Sequence, residues 1–348
     1  MKKIDIRNTT LQDLEKAVIK KGYPAYRARQ VFLWLFQKGA VSFDKMTDIP
    51  KPLIQYLENY FYISPLRQLQ KLVSRDSSIK IIFLLEDGSC IEAVVIQSRS
   101  RNTICLSTQS GCKFKCAFCA SGMKGFKRNL SVSEILGQIL HVRDILHIQA
   151  TNYVFMGMGE PLDNYDNLIQ AIRIMNDKNA FNIGARRITI STCGIVPGIK
   201  KLSAFNLQVN LSLSLHAVTD EKRSRIMPVN RIFPLGKLIE AMSEYARKSG
   251  RIITLEYILI PGVNDSISDA EGLAQIAGEL KSKINLIPYS EVLGARFTPP
   301  TPRQLDMFIS QVKRRHEYIT IRQSRGRDIQ AACGQLAAKQ AADIACSG

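Results

Sequence analysis

Residues 103–122 have the sequence TICLSTQSGCKFKCAFCASG, a short β-rich run followed at once by three closely spaced cysteines. Cys112, Cys116 and Cys119 have the spacing C-x3-C-x2-C and lie on the loop expected after that strand. Three thiolates so close in sequence can converge on one metal centre. Structural zinc sites usually have four ligands, and the nearest histidine is His141. Three cysteines therefore favour an iron–sulfur cluster with one open iron. A zinc site completed from a distance and buried structural thiols are the alternatives.

Similar β-rich runs recur after this stretch, and most are separated by segments long enough for a helix. One of these segments begins with Ser131 and has Glu134 three residues on, which predicts a capping box. They lie at 103–107, 152–157, 187–192, 209–215, 252–260 and 284–289. Alternating strands and helices predict a parallel α/β sheet. Six such units are too few for a closed eight-fold barrel, so a partial (β/α)6 barrel or an open sheet is expected. The chemistry should then lie at the carboxyl ends of the strands.

The sequence before these strands has a different pattern. Residues 1–70 are predicted to be helical, with Thr10 capping a first helix. Apolar runs flank Glu86-Asp87-Gly88-Ser89, which is typical of a β-hairpin. We therefore predict four regions: a helical accessory domain (1–75), a β-hairpin linker (76–98), a core (99–340) and a tail (341–348).

The composition restricts the class of protein. The chain has 348 residues, 45% of them hydrophobic, and a formal net charge of +18. It is too apolar for a disordered chain, and no apolar run approaches the ~20 residues that span a bilayer. No secretory signal is recognisable, so we expect a cytoplasmic protein whose eight cysteines are not a disulfide scaffold. The charge favours a nucleic-acid partner over mere solubility or an anionic membrane surface.

The spacing of the three cysteines is the signature of the radical S-adenosylmethionine (SAM) superfamily. Together with further motifs along the chain, it resembles the pattern of the RlmN/Cfr family of RNA adenine methyltransferases. The motifs are residues 101–130, MGMGEPL (156–162), RRITIST (186–192), SLH (214–216), MPVN (227–230), PGVND (261–265) and RGRDIQAACGQLA (325–337). The resemblance implies a partial (β/α)6 radical SAM barrel as the core, with the helical N-terminal domain serving RNA recognition.

The resemblance also implies two cofactors. One is a [4Fe–4S] cluster held by Cys112, Cys116 and Cys119, and the other is SAM, used twice per turnover. SAM contacts are implied for strand-end residues, namely Gly159, Glu160, Ser191, Ser214, Leu215, His216 and Ser290. Ser290 is a departure, because the family usually has asparagine there and serine lacks the reach of an amide. Without the family, residues 157–160 would be an ordinary turn and His216 a core histidine.

Two cysteines and one carboxylate have catalytic roles in the family pattern. Cys333 would carry the methyl group, Cys105 would resolve it through a transient disulfide, and Glu92 would accept a proton. Without the family, each cysteine would be interpreted as a small buried apolar residue, because free cysteines are commonly buried. Glu92 would be interpreted as a residue that faces outward from its strand. We read Cys90 and Cys193 as structural. A basic run before Cys333 could lower the pKa of that thiol or bind RNA phosphates; it comprises Lys313, Arg314, Arg315, Arg322, Arg325 and Arg327.

The target implied by the resemblance is an adenine ring. Its C2 and C8 atoms are electron-poor carbons, and a radical route avoids the nucleophile that an ordinary SAM methyltransferase needs. Pro161 and the form of RGRDIQAACGQLA favour C2 modification over the Cfr-like C8 alternative. The expected substrates are adenosine 2503 of 23S rRNA and, secondarily, adenosine 37 of certain tRNAs. A flavodoxin-type electron donor and a monomeric state are expected. A zinc-containing RNA-binding protein and a radical SAM enzyme acting on a small molecule are the remaining alternatives.

Overall fold

A computed structural model describes residues 3–337, so the predicted tail (341–348) and Cys346 lie outside the described residues. The chain begins with a helical unit bracketed by two very short parallel strands. Its elements are β1 (Ile4–Asp5), α1 (Leu11–Lys20), α2 (Tyr26–Phe36), α3 (Lys51–Tyr60) and β2 (Phe61–Tyr62). The predicted cap is confirmed, because the backbone N–H of Asp13 donates to Thr10 Oγ1 over 3.1 Å.

Three antiparallel strands follow the helical unit. They are β3 (Arg67–Val73), β4 (Ile79–Leu84) and β5 (Cys90–Gln97). The pairing of β4 with β5 confirms the predicted hairpin. The assignment of residues 1–70 as helical is wrong from Arg67 onward, where β3 begins. This strand is polar and partly exposed, and it lies at the edge of the sheet with β4 as its neighbour. Its own sequence therefore gives little indication of a strand.

The remainder of the chain alternates strands with helices. Its elements are β6 (Asn102–Cys105), β7 (Gln109–Gly111), α4 (Ala120–Met123), β8 (Phe126–Asn129), α5 (Val132–Asp144), β9 (Asn152–Phe155), α6 (Tyr165–Asn176), β10 (Ile188–Thr192), α7 (Val196–Leu202), β11 (Asn210–Ser214), α8 (Asp220–Ile226), α9 (Leu235–Ser249), β12 (Thr254–Leu259), α10 (Ile267–Glu279), β13 (Lys283–Pro288), α11 (Pro302–Lys313) and β14 (Ile319–Ile321).

One ten-stranded sheet joins these parts. Its order is β14-β13-β12-β11-β10-β9-β6-β5-β4-β3. The strands listed from β14 as far as β6 in this order run parallel. All six predicted strands are present, and β14 adds a seventh parallel strand that was not predicted. In the described part of the chain the sheet has two free edges, as a partial barrel requires. Strands β7 and β8 form a separate antiparallel ribbon on either side of the cysteine loop.

The helical unit shares its apolar core with the rest of the chain. Phe36 of α2 packs against Phe181, with ring centroids 5.5 Å apart, and Gln37 Nε2 donates to the carbonyl of Lys178 over 2.8 Å. The unit therefore packs on α6 and the loop after it, on the helical side of the sheet. Among the described residues, no helix combines the length and apolarity needed to cross a membrane.

Helix α5 fixes the backbone where the chain leaves β6 for the cysteine loop. It begins with the predicted capping box of Ser131 and Glu134. Further along, the fully buried Gln138 accepts the N–H of Ser107 (2.9 Å) and donates to the carbonyl of Ser107 (3.0 Å). The Ser107 hydroxyl in turn donates to the Glu92 carbonyl (2.5 Å) and accepts the N–H of Met158 (2.8 Å). The side-chain amide of Gln138 therefore fixes Ser107, and through it the place where β5, β6 and β9 meet.

Replacing Gln138 should therefore weaken the whole fold. Gln138→Ala leaves a buried N–H and a buried carbonyl without partners, so we expect the free energy of unfolding to fall by about 1–3 kcal/mol. Urea denaturation followed by circular dichroism measures this change. The matched control is Gln275→Ala on the exposed side of α10, which should change the stability by less than about 0.5 kcal/mol. Equal effects of the two substitutions would contradict the role given to Gln138.

Candidate active site

A cavity of about 150 Å³ lies at the carboxyl ends of the parallel strands, where the sequence predicts the chemistry. Most of the predicted site residues line it. They are Cys112, Cys116, Cys119, Gly159, Glu160, Ser191, Ser214, His216 and Cys333. Residues that are more than 200 positions apart in the sequence thus meet in one place.

The cysteine loop is held in place by backbone contacts. The N–H of Cys112 donates to the Gly125 carbonyl (3.0 Å), and the N–H of Ala117 donates to the Ile226 carbonyl (2.9 Å). Gly111 has φ +78, and a Cβ there would lie 1.8 Å from the Gly125 carbonyl oxygen. Glycine is therefore required for the two arms of the loop to approach each other.

Burial and neighbouring thiols raise the pKa of cysteines in this loop. Burial raises the pKa of Cys112 to about 12, with Cys119 adding to the shift. Burial also raises the pKa of Cys116, and Cys119 and Cys112 raise it further. None of the three forms a disulfide. A cation bound here would replace their protons, because thiolates rather than thiols are metal ligands.

The donor set fits a cluster better than a single ion. Within residues 3–337, no group of three His, Cys, Asp or Glu side chains is arranged to hold one metal ion. Zinc needs all its sulfur ligands about 2.3 Å from one centre, whereas the cysteines around a cluster bind different irons. His141 is not a fourth ligand, because its Nε2 lies 2.9 Å from Gln68 Oε1 and its ring packs against Phe83.

The turn after β9 brings a carboxylate to the cavity. Glu160 is buried, and it accepts the N–H groups of Cys193 (2.7 Å) and Leu162 (3.1 Å). Burial raises its pKa, and these hydrogen bonds oppose the rise. A Cβ at Gly157 would lie 2.7 Å from the Leu106 carbonyl, and one at Gly159, which has φ +94, would lie 2.4 Å from Gln109. Both glycines are therefore needed for the turn to pack closely against the chain after β6.

His216 lies at the end of β11 with φ +58. Its Nδ1 accepts the N–H of Ile258 over 3.0 Å, and its ring packs edge-on against Phe118. Burial, with a contribution from Arg223, lowers its pKa to about 3. The ring is therefore neutral, with its proton on Nε2. A ligand in the cavity meets a hydrogen-bond donor here rather than a cation.

Two of the predicted SAM contacts are not among the described residues that line the cavity. Leu215 is fully buried, and its side chain belongs to the main apolar core, because alternate residues of a strand point to opposite faces. Ser290 is also buried, and its hydroxyl has no hydrogen-bond partner among residues 3–337. Neither side chain is placed as a cavity-lining contact.

Cys105 and Cys333 line a second, smaller cavity that adjoins the first. Cys333, Met156, Ile287 and Arg322 belong to the walls of both cavities. Burial raises the pKa of Cys105 to about 12, and Cys333 raises it further. The structure thus brings together two thiols that are far apart in the sequence.

A half-buried guanidinium lies beside this thiol pair. Arg322 Nη1 is 3.1 Å from Met156 Sδ and 3.9 Å from the carboxylate of Glu256. Cys333 is the main cause of a raised pKa at Arg322, with Glu256 and Cys105 contributing. Within the basic run, Arg322 and Arg325 line the smaller cavity, whereas Lys313, Arg314 and Arg315 are exposed.

Glu92 does not face outward, so that interpretation is wrong. The side chain is buried, and its carboxylate lies 3.8 Å from the equally buried Lys80 Nζ. Burial raises its pKa, and Lys80 opposes the rise. Successive residues of β5 are buried, so both of its faces are covered, which the sequence of one strand cannot reveal. Glu92 is not among the described residues that line either cavity.

Comparison with known proteins agrees with this geometry. A model of the radical SAM superfamily matches residues 106–273, and a model of the ribosomal RNA large subunit methyltransferase N-terminal domain matches residues 4–63. The dual-specificity RNA methyltransferase RlmN of Geobacter sulfurreducens is 44% identical over 336 residues, which cover 97% of this chain and 92% of the relative.

This chain belongs to the RlmN family. A probable dual-specificity RNA methyltransferase RlmN of Staphylococcus aureus is 41% identical over 341 residues, covering 97% of this chain and 94% of the relative. The crystal structure of a radical SAM methyltransferase from Sphaerobacter thermophilus superposes with a TM-score of 0.91 at 40% identity, covering 97% of this chain and 100% of that one. The chain therefore has the radical SAM fold, and membership implies an iron–sulfur cluster and SAM.

Sequence reasoning missed several residues of this RlmN-family site. Glu256 lines the larger cavity from the middle of β12, and the signal was available as a lone carboxylate in an apolar run. Cys193, interpreted as structural, also lines the cavity. Arg223 is fully buried and donates to the carbonyls of Cys193 (2.7 Å), Ser214 (3.1 Å) and Leu215 (3.0 Å). No sequence signal separates Arg223 from the exposed Arg225 in the same helix.

The two arginines of α8 provide a matched test. Arg223→Met should lower the free energy of unfolding by about 3 kcal/mol, because the buried carbonyls that Arg223 bonds lose a charged donor. Arg225→Met should change it by less than about 0.5 kcal/mol. Chemical denaturation of the two variants beside the parent protein measures the difference. A stability of Arg223→Met equal to that of the parent protein would show that the strand ends do not depend on this guanidinium.

Proposed function

We propose that this chain is a radical SAM methyltransferase that methylates C2 of adenosine 2503 in 23S rRNA, with adenosine 37 of certain tRNAs as a second substrate. The observation that carries the proposal is the joint placement of Cys105 and Cys333 in a cavity that adjoins the one lined by Cys112, Cys116 and Cys119. A cluster site and a thiol pair in adjoining cavities suit transfer of a methyl group through cysteine.

The proposal of an RNA substrate has further support. The curated relatives are named dual-specificity RNA methyltransferases, and the N-terminal unit matches a domain of ribosomal RNA methyltransferases. The formal net charge of +18 suits a polyanionic partner. A small-molecule substrate would leave this charge and the N-terminal unit without a role, and a zinc protein without catalysis would leave the thiol pair unused.

The residues present fit both cofactors. Cys112, Cys116 and Cys119 would hold a [4Fe–4S] cluster, and Glu160, with Ser191, Ser214 and His216, would bind SAM. Glu160 offers a carboxylate to the ammonium of SAM, while His216 offers an Nε2–H donor. When bound, the cluster supplies the electron for reductive cleavage of SAM, which provides both the methyl group and the hydrogen-abstracting radical. A flavodoxin-type protein is the proposed source of that electron.

The remaining steps belong to the chain's own residues. The Cys333 sulfur forms a bond to the SAM methyl carbon as the bond from that carbon to the sulfonium breaks. After hydrogen abstraction, the carbon radical bound to Cys333 adds to the adenine ring. The ring becomes aromatic again by losing one electron, for which the cluster would be the acceptor, and one proton, which Glu92 accepts. The Cys105 sulfur then attacks the Cys333 sulfur, so that a disulfide forms as the carbon–sulfur bond breaks and the released carbon takes up a proton to become the methyl group. Reduction of this disulfide restores both thiols.

The proposal predicts distinct outcomes at the two cysteines. Cys333→Ala removes the methyl carrier and should abolish RNA methylation, whereas Cys105→Ala removes the resolving thiol and should leave RNA covalently attached to the protein. Gel electrophoresis and nucleoside mass spectrometry read the two outcomes. Cys90→Ala, at a buried cysteine outside both cavities, is the control and should methylate RNA like the parent. Full activity of Cys333→Ala would refute the mechanism.

The position of the new methyl group is tested in cells with and without the gene. Loss of 2-methyladenosine from rRNA supports C2 modification, whereas loss of 8-methyladenosine would assign the chain to the C8 alternative. No change in either nucleoside would remove rRNA as the substrate. Mass spectrometry of purified tRNA from the same cells tests the second substrate separately.

Iron content tests the cluster independently of RNA. Protein purified without oxygen should contain about four irons per chain, and Cys116→Ala should lose most of them because one ligand is missing. Cys90→Ala should keep the iron of the parent. Elemental analysis provides the measurement, and a colourless protein with one zinc and no iron would support the zinc alternative instead.

A further inference from the structure

The segment that carries Cys333 is irregular and needs individual contacts to hold it. We call residues 326–337 the strap. Apart from one short turn at Arg327–Ile329, the strap has no helix or strand. Its backbone is left-handed at Gly326 (φ +68), Gln330 (φ +54) and Gly334 (φ +84). With no ladder of sheet hydrogen bonds along it, the position of Cys333 depends on where the strap is anchored.

The inner anchor joins the strap to the cysteine loop. The Gly334 carbonyl accepts the N–H of Ala120 over 2.7 Å, and the Leu336 carbonyl accepts the Ser121 hydroxyl over 2.5 Å. A Cβ at Gly334 would lie 3.0 Å from the Phe118 carbonyl oxygen. The residue after Cys333 is therefore fixed closely against the proposed cluster ligands.

The outer anchor is a reciprocal pair of carboxylates. Asp76, in the turn between β3 and β4, accepts the N–H of Gly326 through Oδ2 (2.8 Å) and the N–H of Ser78 through Oδ1 (2.9 Å). Asp328 of the strap accepts the N–H of Arg75 (3.0 Å) and the Ser74 hydroxyl (2.6 Å). Each segment thus offers a carboxylate to the backbone of the other, and charged acceptors make strong hydrogen bonds.

A third contact continues this anchor toward the site. Lys80, at the start of β4, donates through Nζ to the Gln330 carbonyl over 3.3 Å. The same Nζ lies 3.8 Å from the Glu92 carboxylate. The β3–β4 turn and the strand after it are therefore connected both to the strap and to the proposed proton acceptor.

We propose that Asp76 and Asp328 are positioning residues that set the place of the Cys333 methyl carrier. Neither side chain lines the two cavities of the described structure, so each acts through the strap. Without them, the strap keeps its inner anchor at Gly334 and the contact of Lys80 with Gln330, but it loses both carboxylates of the outer anchor, so Cys333 is held less closely. A misplacement of about 1 Å can cost a factor of about 100 in rate. This inference rests on the proposed function, since it assigns the strap a methyl carrier.

The test compares two products in one reaction. Asp76→Ala, Asp328→Ala and the double variant are assayed for 5′-deoxyadenosine released from SAM and for methyl groups in RNA. We expect the yield of methylated RNA per SAM cleaved to fall at least about tenfold in the double variant, with an unchanged KM for SAM. Asp76→Asn and Asp328→Asn keep an acceptor oxygen and should recover much of the yield. Asp306→Ala, at an exposed position of α11, is the matched control and should behave like the parent.

Hydrogen exchange separates failure of this inference from failure of the proposed function. In the absence of SAM and RNA, the double variant should lose protection in the peptides covering the strap and the β3–β4 turn, but not elsewhere. Unchanged protection, an unchanged yield, or an equal loss of SAM cleavage and methylation would each overturn the positioning role. If the parent protein methylates no RNA, the proposed function fails, while the exchange experiment still decides whether the two aspartates hold the strap.

Discussion

The guanidinium of the buried Arg223 holds together the strand ends on which the larger cavity is built. It bonds the carbonyls of Cys193, Ser214 and Leu215 and also the side chain of Asn230. Carbonyls at the carboxyl end of a parallel strand have left the ladder, and burial makes an unmet acceptor costly. The cavity-lining residues next to these carbonyls therefore depend on Arg223 for their positions.

The site combines rigidity at the strand ends with a separately anchored nucleophile. Glu160 and His216 are fixed by backbone N–H donors of neighbouring segments, so their orientation is set before any ligand arrives. Cys333 instead lies on the strap, an irregular segment that is distant in sequence from the cysteine loop. The half-buried Arg322 and the buried Glu256 place opposite charges next to that thiol, and Arg322 gives the wall shared by the two cavities a polar group.

Local patterns were sufficient for much of the fold. The six predicted strands, the hairpin of β4 and β5, and the caps at Thr10 and Ser131 are confirmed, because each depends on residues close together in sequence. Strands β3 and β14 were not predicted, since β3 is polar and partly exposed and β14 has only three residues. The outward orientation expected for Glu92 was wrong because the burial of β5 depends on what packs over its faces, which the sequence of the strand does not record.

Family membership, the cysteine spacing and the order of strands and helices are readable from the amino-acid sequence, because they are properties of neighbouring residues and of ordered motifs. The folded chain adds the information about which distant residues meet. It placed Cys105 beside Cys333, Arg322 beside both, and Asp76 against the strap, and it directed the Leu215 side chain into the core. Such contacts depend on chain crossings and on the burial of both partners, and no local pattern in the sequence records either.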